Sequence, residues 1–156
     1  MNDDLAGQAA SLIPADAILL DSAANSKSAI ISDILGLLPS IDADQAMSVV
    51  MEREKLGSTG IGHGIAIPHG RLPDLDAPVT ALARHAAGVD FDAIDGQPVH
   101  IVIVLLAPAN EDRSHLELLA NLARTLQQES VAQAIMQADT AEAISALFSI
   151  PAGPSA

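Results

Sequence analysis

Two histidines, an arginine and a glycine-rich stretch carry the chemistry that this sequence can offer. His69 stands between Pro68 and Gly70, just after the strand-like run Ile65-Ala66-Ile67. A strand end can hold a side chain at a fixed angle, and a small neighbour leaves room beside it. An imidazole is neutral often enough near pH 7 to attack a phosphoryl donor, and the product is suited to onward transfer. The plain alternative is a turn histidine at the surface. His115 follows Ser114, which with Glu117 matches a capping box opening a helix. Amides and dipole at a helix start can stabilise a phosphate and favour a neutral imidazole, although a surface histidine fits the same pattern. Arg53 lies on one helical face with Ala46, Val49 and Val50, at its far end. There its stem can pack while its guanidinium bridges phosphate oxygens, contacts an acidic partner or simply complements the helix dipole. The expectation is that Arg53, His69 and His115 converge near one exposed sheet edge.

Ser58 and Thr59 can give hydrogen-bond support to such a site or merely organise the turn around them. Gly57, Gly60, Gly62 and Gly64 disfavour a helix and suit turns or close backbone approach. They do not make a nucleotide cradle. The order GxxxxGK[ST] is absent, and these glycines precede a strand instead of following one. His63, His69 and His115 together suggest a zinc centre, but there is no HEXXH order, so no metal is expected. Asp90, Asp92 and Asp95 resemble a calcium loop only superficially, because Phe91, Ala93 and Ile94 interrupt the oxygen donors. His85 and His100 read as structural or surface residues.

The chain has 156 residues and a formal net charge of -13, with seven basic residues against twenty acidic ones. That length suits one domain with its own core. The charge argues against a nucleic-acid surface, and two phenylalanines as the whole aromatic content leave little to stack on bases. No run nears the roughly 20 apolar residues that span a bilayer, and the start does not read as a secretory signal. A cytoplasmic protein without stable membrane insertion is the expectation. The absence of cysteine removes disulfides and thiolate chemistry.

The elements that must position these residues alternate between strand and helix. Residues 1–16 read as a flexible or short helical arm, 17–150 as the domain and 151–156 as a frayed tail. Ala17-Ile18-Leu19-Leu20 predicts a short strand. Asn25 is placed to cap a helix through Leu38, stopped by Pro39, and Asp42 with Gln45 to open a second helix reaching Lys55. Val79 to Ala86 predicts a strand with a turn or bulge near Gly88. The continuous apolar run from Val99 to Leu106 fits a central strand covered on both faces. A long helix from Ser114 to about Gln128 presents Leu118, Leu119, Leu122 and Leu126. Two short helices follow, the last capped by Asp139 with Glu142. The fold class is α+β, a mixed central sheet flanked by helices in an α/β/α layered single domain.

The segment from Arg53 through Gly70, REKLGSTGIGHGIAIPHG, resembles the active-site region of the fructose and mannitol type IIA domains of the bacterial phosphotransferase system. The likeness continues through Asp95-Gly96-Gln97-Pro98-Val99 and Ser114-His115-Leu116-Glu117-Leu118-Leu119. It implies that His69 is the phosphorylated nucleophile, His115 the second active-site histidine and Arg53 the arginine near them, with no cofactor. A phosphorylated histidine carrier protein would be the donor. The stand-alone length and the Ser26-Lys27 helix start look more like the nitrogen-related regulatory branch, where phosphorylation controls contacts with a regulatory target. The alternative is a sugar component passing phosphate to a IIB domain. His63 stands where many relatives are expected to carry asparagine.

Overall fold

The computed structural model describes residues 12–39, 41–93, 95–109 and 112–148, with the backbone alone at Asp112, Ser114 and His115. Its elements in chain order are a 3-10 turn at Ala15–Ala17, β1 (Ile18–Leu19), α1 (Lys27–Leu35), α2 (Ala43–Lys55), β2 (Gly60–Gly62), β3 (Ile65–Ala66), β4 (His69–Leu72), β5 (Val79–Val89), β6 (Val99–Pro108), α3 (Asp112–Leu126), α4 (Glu129–Gln137) and α5 (Ala141–Ala146). The strands form one mixed sheet in the order β1-β5-β6-β3-β2, with β4 also paired to β6. β5 runs antiparallel to β6, whereas β3 and β4 run parallel to it.

The apolar run of β6 sorts its residues by strand alternation. Ile101 and Ile103 pack with Ile65, Ile67 and Leu82 against Leu122 and Leu126 of α3, Ile135 of α4 and Ile144 of α5. Val102, Val104 and Leu106 pack with Ala66 and Leu72 against Ile30, Ile31 and Ile34 of α1 and Ala46 and Val50 of α2. The sheet is therefore covered on both faces, as the continuous hydropathy of its central strand requires. The α+β class, the mixed sheet and the flanking helices read from the sequence are those observed.

Several boundaries differ. Ser26, not Asn25, caps α1, its hydroxyl accepting from Ala29 N–H at 3.1 Å. Thr140, not Asp139, caps α5 in the same way. Asp42 caps α2 through Gln45 N–H, as expected. α3 opens at Asp112, so Ser114 is its third residue and not its cap. Leu12 and Ile13 belong to the body instead of an arm. Leu12 N–H donates to Phe148 O at 3.0 Å, and Ile13 is fully buried with its carbonyl accepting from Ser145 Oγ. Pro14 leads into the 3-10 turn at Ala15–Ala17, while residues 1–11 of the expected arm and the tail lie outside the described residues.

The glycine-rich segment forms a hairpin that the sequence reading leaves as turns. β2 and β3 are antiparallel and joined by His63 and Gly64, with φ of 61° and 78°. A two-residue turn with both central residues at positive φ prefers Asn-Gly, because few side chains tolerate that region. The asparagine expected at position 63 in many relatives has its physical reason here, and His63 fills the same backbone role. Its N–H donates to Asp95 Oδ2 at 3.2 Å.

Candidate functional site

Pro68 interrupts the line of β3 and β4, and His69 opens the second strand instead of closing the first. Gly70 turns its Cα hydrogens to α2: a Cβ there would lie 2.4 Å from Val49 Cγ1. Strand alternation then puts His69 and Arg71 on the opposite face, the one covered by α3–α5. His69 is half-buried and pairs with Leu105 near the C-terminal end of β6, the end from which the chain proceeds to α3.

A backbone carbonyl orients the imidazole. His69 Nδ1 lies 2.8 Å from the carbonyl oxygen of Ile67. A carbonyl can only accept, so Nδ1 carries the proton and Nε2 the lone pair of the neutral ring. Burial, the largest cause, lowers the His69 pKa from its ordinary 6.5. The Ile67 carbonyl opposes this, the Arg53 guanidinium lowers it further, Glu54 raises it and Arg71 lowers it. The neutral, Nε2-nucleophilic form therefore dominates at pH 7. An NMR titration of the ring is expected to inflect below 6.5, and Arg53→Ala to move that inflection upward by removing a nearby cation. The linked stability has a defined sign. It is complete above 6.5, where the unfolded histidine is also neutral, and declines as pH falls from there to the folded pKa.

Arg53 sits in the last turn of α2, where its charge complements the helix dipole. Its Nη1 donates to Gly57 O at 2.9 Å, and its charge is felt at His69. The fold thus brings these two predicted residues together. His115 is the fourth residue of α3, but its side chain lies outside the described residues, so its expected meeting with His69 does too. Ser58 and Thr59 are committed to the loop. Ser58 Oγ donates to Phe91 O at 2.5 Å and accepts from Gly60 N–H at 3.0 Å, while the Thr59 hydroxyl and N–H both donate to the buried Glu54 carboxylate.

Arg71 was not picked out by motif or spacing, yet it is the second cation acting on His69. The i, i+2 relation on one strand face is the available signal, and Pro68, which reads as the end of the preceding strand, hides it. Glu54, the next residue after Arg53, also acts on the ring and carries no motif of its own.

The remaining histidines belong elsewhere. His85 is buried, with Nε2 donating to Ala24 O at 2.6 Å and Nδ1 accepting from Gly88 N–H at 2.9 Å. His100 Nδ1 donates to His85 O at 3.0 Å. With His63, Glu129 and Gln133, His100 lines a cleft of about 650 Å³. That cleft lies toward the start of β6, roughly 16 Å along the strand from the level of His69. Among the described residues, no group of three or more His, Asp or Glu side chains could hold a metal ion. No helix among them is long and apolar enough to cross a membrane.

Residues 11–150 match the family described as phosphoenolpyruvate-dependent sugar phosphotransferase system, EIIA 2. A nitrogen regulatory protein of Pseudomonas aeruginosa is 42% identical over 130 residues, covering 81% of this chain and 84% of that protein. A fructose-specific EIIA component of Haloferax volcanii is 37% identical over 103 residues, 66% of this chain and 67% of that protein. The crystal structure of nitrogen regulatory protein IIA-Ntr from Neisseria meningitidis superposes with a TM-score of 0.83 at 36% identity, covering 88% of this chain and 96% of that one. The class is that of a phosphoryl carrier. The chain belongs to the EIIA 2 family of the phosphotransferase system.

Proposed function

We propose that His69 Nε2 is the phosphoryl acceptor, and that the chain is a cytoplasmic relay of the nitrogen-related regulatory branch. The observation that carries the acceptor assignment is the Ile67 carbonyl, which favours the proton on Nδ1 and leaves the lone pair on Nε2, in a ring that feels the Arg53 charge. In the transfer, the P–N bond of a phosphorylated histidine carrier breaks as the His69 Nε2–P bond forms. The donor ring recovers the electron pair. His69 keeps its Nδ1 proton, and the positive charge that develops on its ring is stabilised by the Ile67 carbonyl. Arg53 counters the charge on the phosphoryl oxygens. His115, in the first turn of a 15-residue helix, assists transfer through its ring and the neighbouring amides.

A protein donor also suits the surface. Leu56, next to the α2 end that carries Arg53, is 85% exposed, and Leu116, which follows His115, is 60% exposed. Large apolar side chains left in water next in sequence to the helix end of Arg53 and to His115 fit transient protein docking. The regulatory branch is supported by the nitrogen regulatory proteins among the relatives, and the sugar branch by the Haloferax volcanii fructose component. Under the first reading the downstream partner is a regulatory target, and under the second a IIB domain.

Purified phosphorylated histidine carrier is expected to label the protein rapidly, while ATP and magnesium alone do not. Rapid labelling by ATP would overturn the relay. Capture by the phosphorylated and unphosphorylated forms then separates the branches. A target held by one form without accepting phosphate supports regulation, and efficient onward transfer to a IIB domain supports sugar uptake.

A further inference from the structure

Glu54 carries a carboxylate that is 6% exposed, one residue along α2 from Arg53. Thr59 N–H donates to its two oxygens at 3.2 and 3.4 Å, the Thr59 hydroxyl donates to Oε1, and Lys27 Nζ donates to Oε2 at 3.1 Å. Lys27 is the first residue of α1, and its ammonium also lies 5.3 Å from the Phe91 ring centroid. Ser58 ties the same loop to the carbonyl of Phe91. The 57–60 loop is thereby clamped against α2, α1 and the chain around Phe91. Its Gly57 carbonyl is the group that holds Arg53 Nη1.

We propose that the Lys27–Glu54–Thr59 cluster is a positioning device for Arg53, fixing the loop whose carbonyl aims the guanidinium at the phosphoryl centre. The inference rests on the assignment of His69 and Arg53 made above. Burying an ion pair is weak support for stability, since well-packed apolar residues often do as well or better. What the cluster does supply is direction. One carboxylate fixes the backbone amide and hydroxyl of Thr59, two residues after the carbonyl that Arg53 needs. The nucleophile is held separately, by Ile67 within its own strand line. Loss of the clamp therefore leaves His69 its lone pair but lets the loop and Arg53 move, and displacements of this kind slow transfer strongly.

The test is a double-mutant cycle in the full chain, with phosphorylated histidine carrier as donor. Thr59→Val is expected to slow transfer at saturating donor by about tenfold, and Thr59→Ser, which keeps the hydroxyl, to stay within about twofold of wild type. In an Arg53→Ala background, Thr59→Val should add less than about twofold, because the residue it positions is already gone. The unphosphorylated protein gives a second readout, the NMR inflection of His69, which Thr59→Val and Arg53→Ala should both raise and the double variant raise no further. Charged groups acting on the ring besides Arg53 are Glu54 on the same helix and Arg71 on β4, and the Thr59 and Arg53 variants keep both. If Thr59→Val does not fold, the Lys27→Met/Glu54→Gln pair removes both charges while leaving an acceptor for Thr59, and the same non-additivity is expected in the transfer rate. That rate alone is read for this pair, because the Glu54 charge itself raises the His69 pKa. Effects that multiply with Arg53→Ala in either readout, or a Thr59→Ser variant as slow as Thr59→Val, overturn the proposal. A wild-type protein that takes no phosphate sinks the functional assignment, while the NMR cycle still decides the positioning.

Discussion

His69→Ala is expected to abolish transferable phosphate and leave a folded protein. The substitution removes the ring that would form the phosphohistidine, and no other group can take its place at that point of β4. Its structural cost is modest. The ring is half-buried, and losing its bond to the Ile67 carbonyl costs on the order of 1 kcal/mol. His115→Ala should fail differently, accepting some phosphate but transferring it roughly 10- to 100-fold more slowly, as for removal of a group that stabilises the transition state. Circular dichroism and thermal melts check folding, and time-resolved transfer with acid-labile phosphate mapping checks chemistry. Equal activity of His115→Ala and wild type would remove the assisting role alone.

The second large effect is expected at Gly70, where the fold and the site meet. An alanine Cβ would stand 2.4 Å from Val49 Cγ1 and 3.5 Å from the Val49 carbonyl carbon. Valine on a helix has little rotameric freedom, so either α2 or β4 must shift. Gly70→Ala should destabilise the protein by about 1–3 kcal/mol, the usual cost of overpacking. It should also slow transfer, because His69 is the adjacent strand residue and Arg53 stands on the helix that is pushed away. Val49→Ala opens the same space, so the double variant should lose less stability than the sum of the two. Denaturant unfolding of the three variants measures this coupling, and strictly additive losses would show that the close approach does not govern packing here.

The sequence made the layered architecture legible because each side of the sheet wrote its own pattern. The unbroken run from Val99 to Leu106 matches a buried helix as well by periodicity, but its branched residues and the Ala107-Pro108 end favour a strand with two covered faces, and the stripe from Leu118 to Leu126 marks one of the covering helices. Asp42 with Gln45 fixed the start of α2, and hence the placement of Arg53 at its end. The hairpin of β2 and β3 was hidden because glycine weakens the strand signal, although its two-residue turn explains why glycine and a residue tolerant of positive φ are found there. β3 itself is legible as the strand-like run Ile65-Ala66-Ile67, but so short a run does not reveal its partner. Pro68 looked like the end of a strand, which concealed both the second strand it introduces and the shared face of His69 and Arg71. Glu54 could not be recognised from local pattern at all. Its role depends on Lys27, 27 residues away, and on a loop folded back onto α2.

The account stands most directly on where phosphate resides. Purified phosphorylated histidine carrier is mixed with the wild-type protein, the reaction is stopped at alkaline pH, and peptides are mapped by mass spectrometry under conditions that preserve phosphohistidine. The predicted result is one acid-labile phosphoryl group on His69, returned to unphosphorylated carrier on chase. Phosphate on another residue with His69 unmodified, or normal transfer by folded His69→Ala, would contradict it.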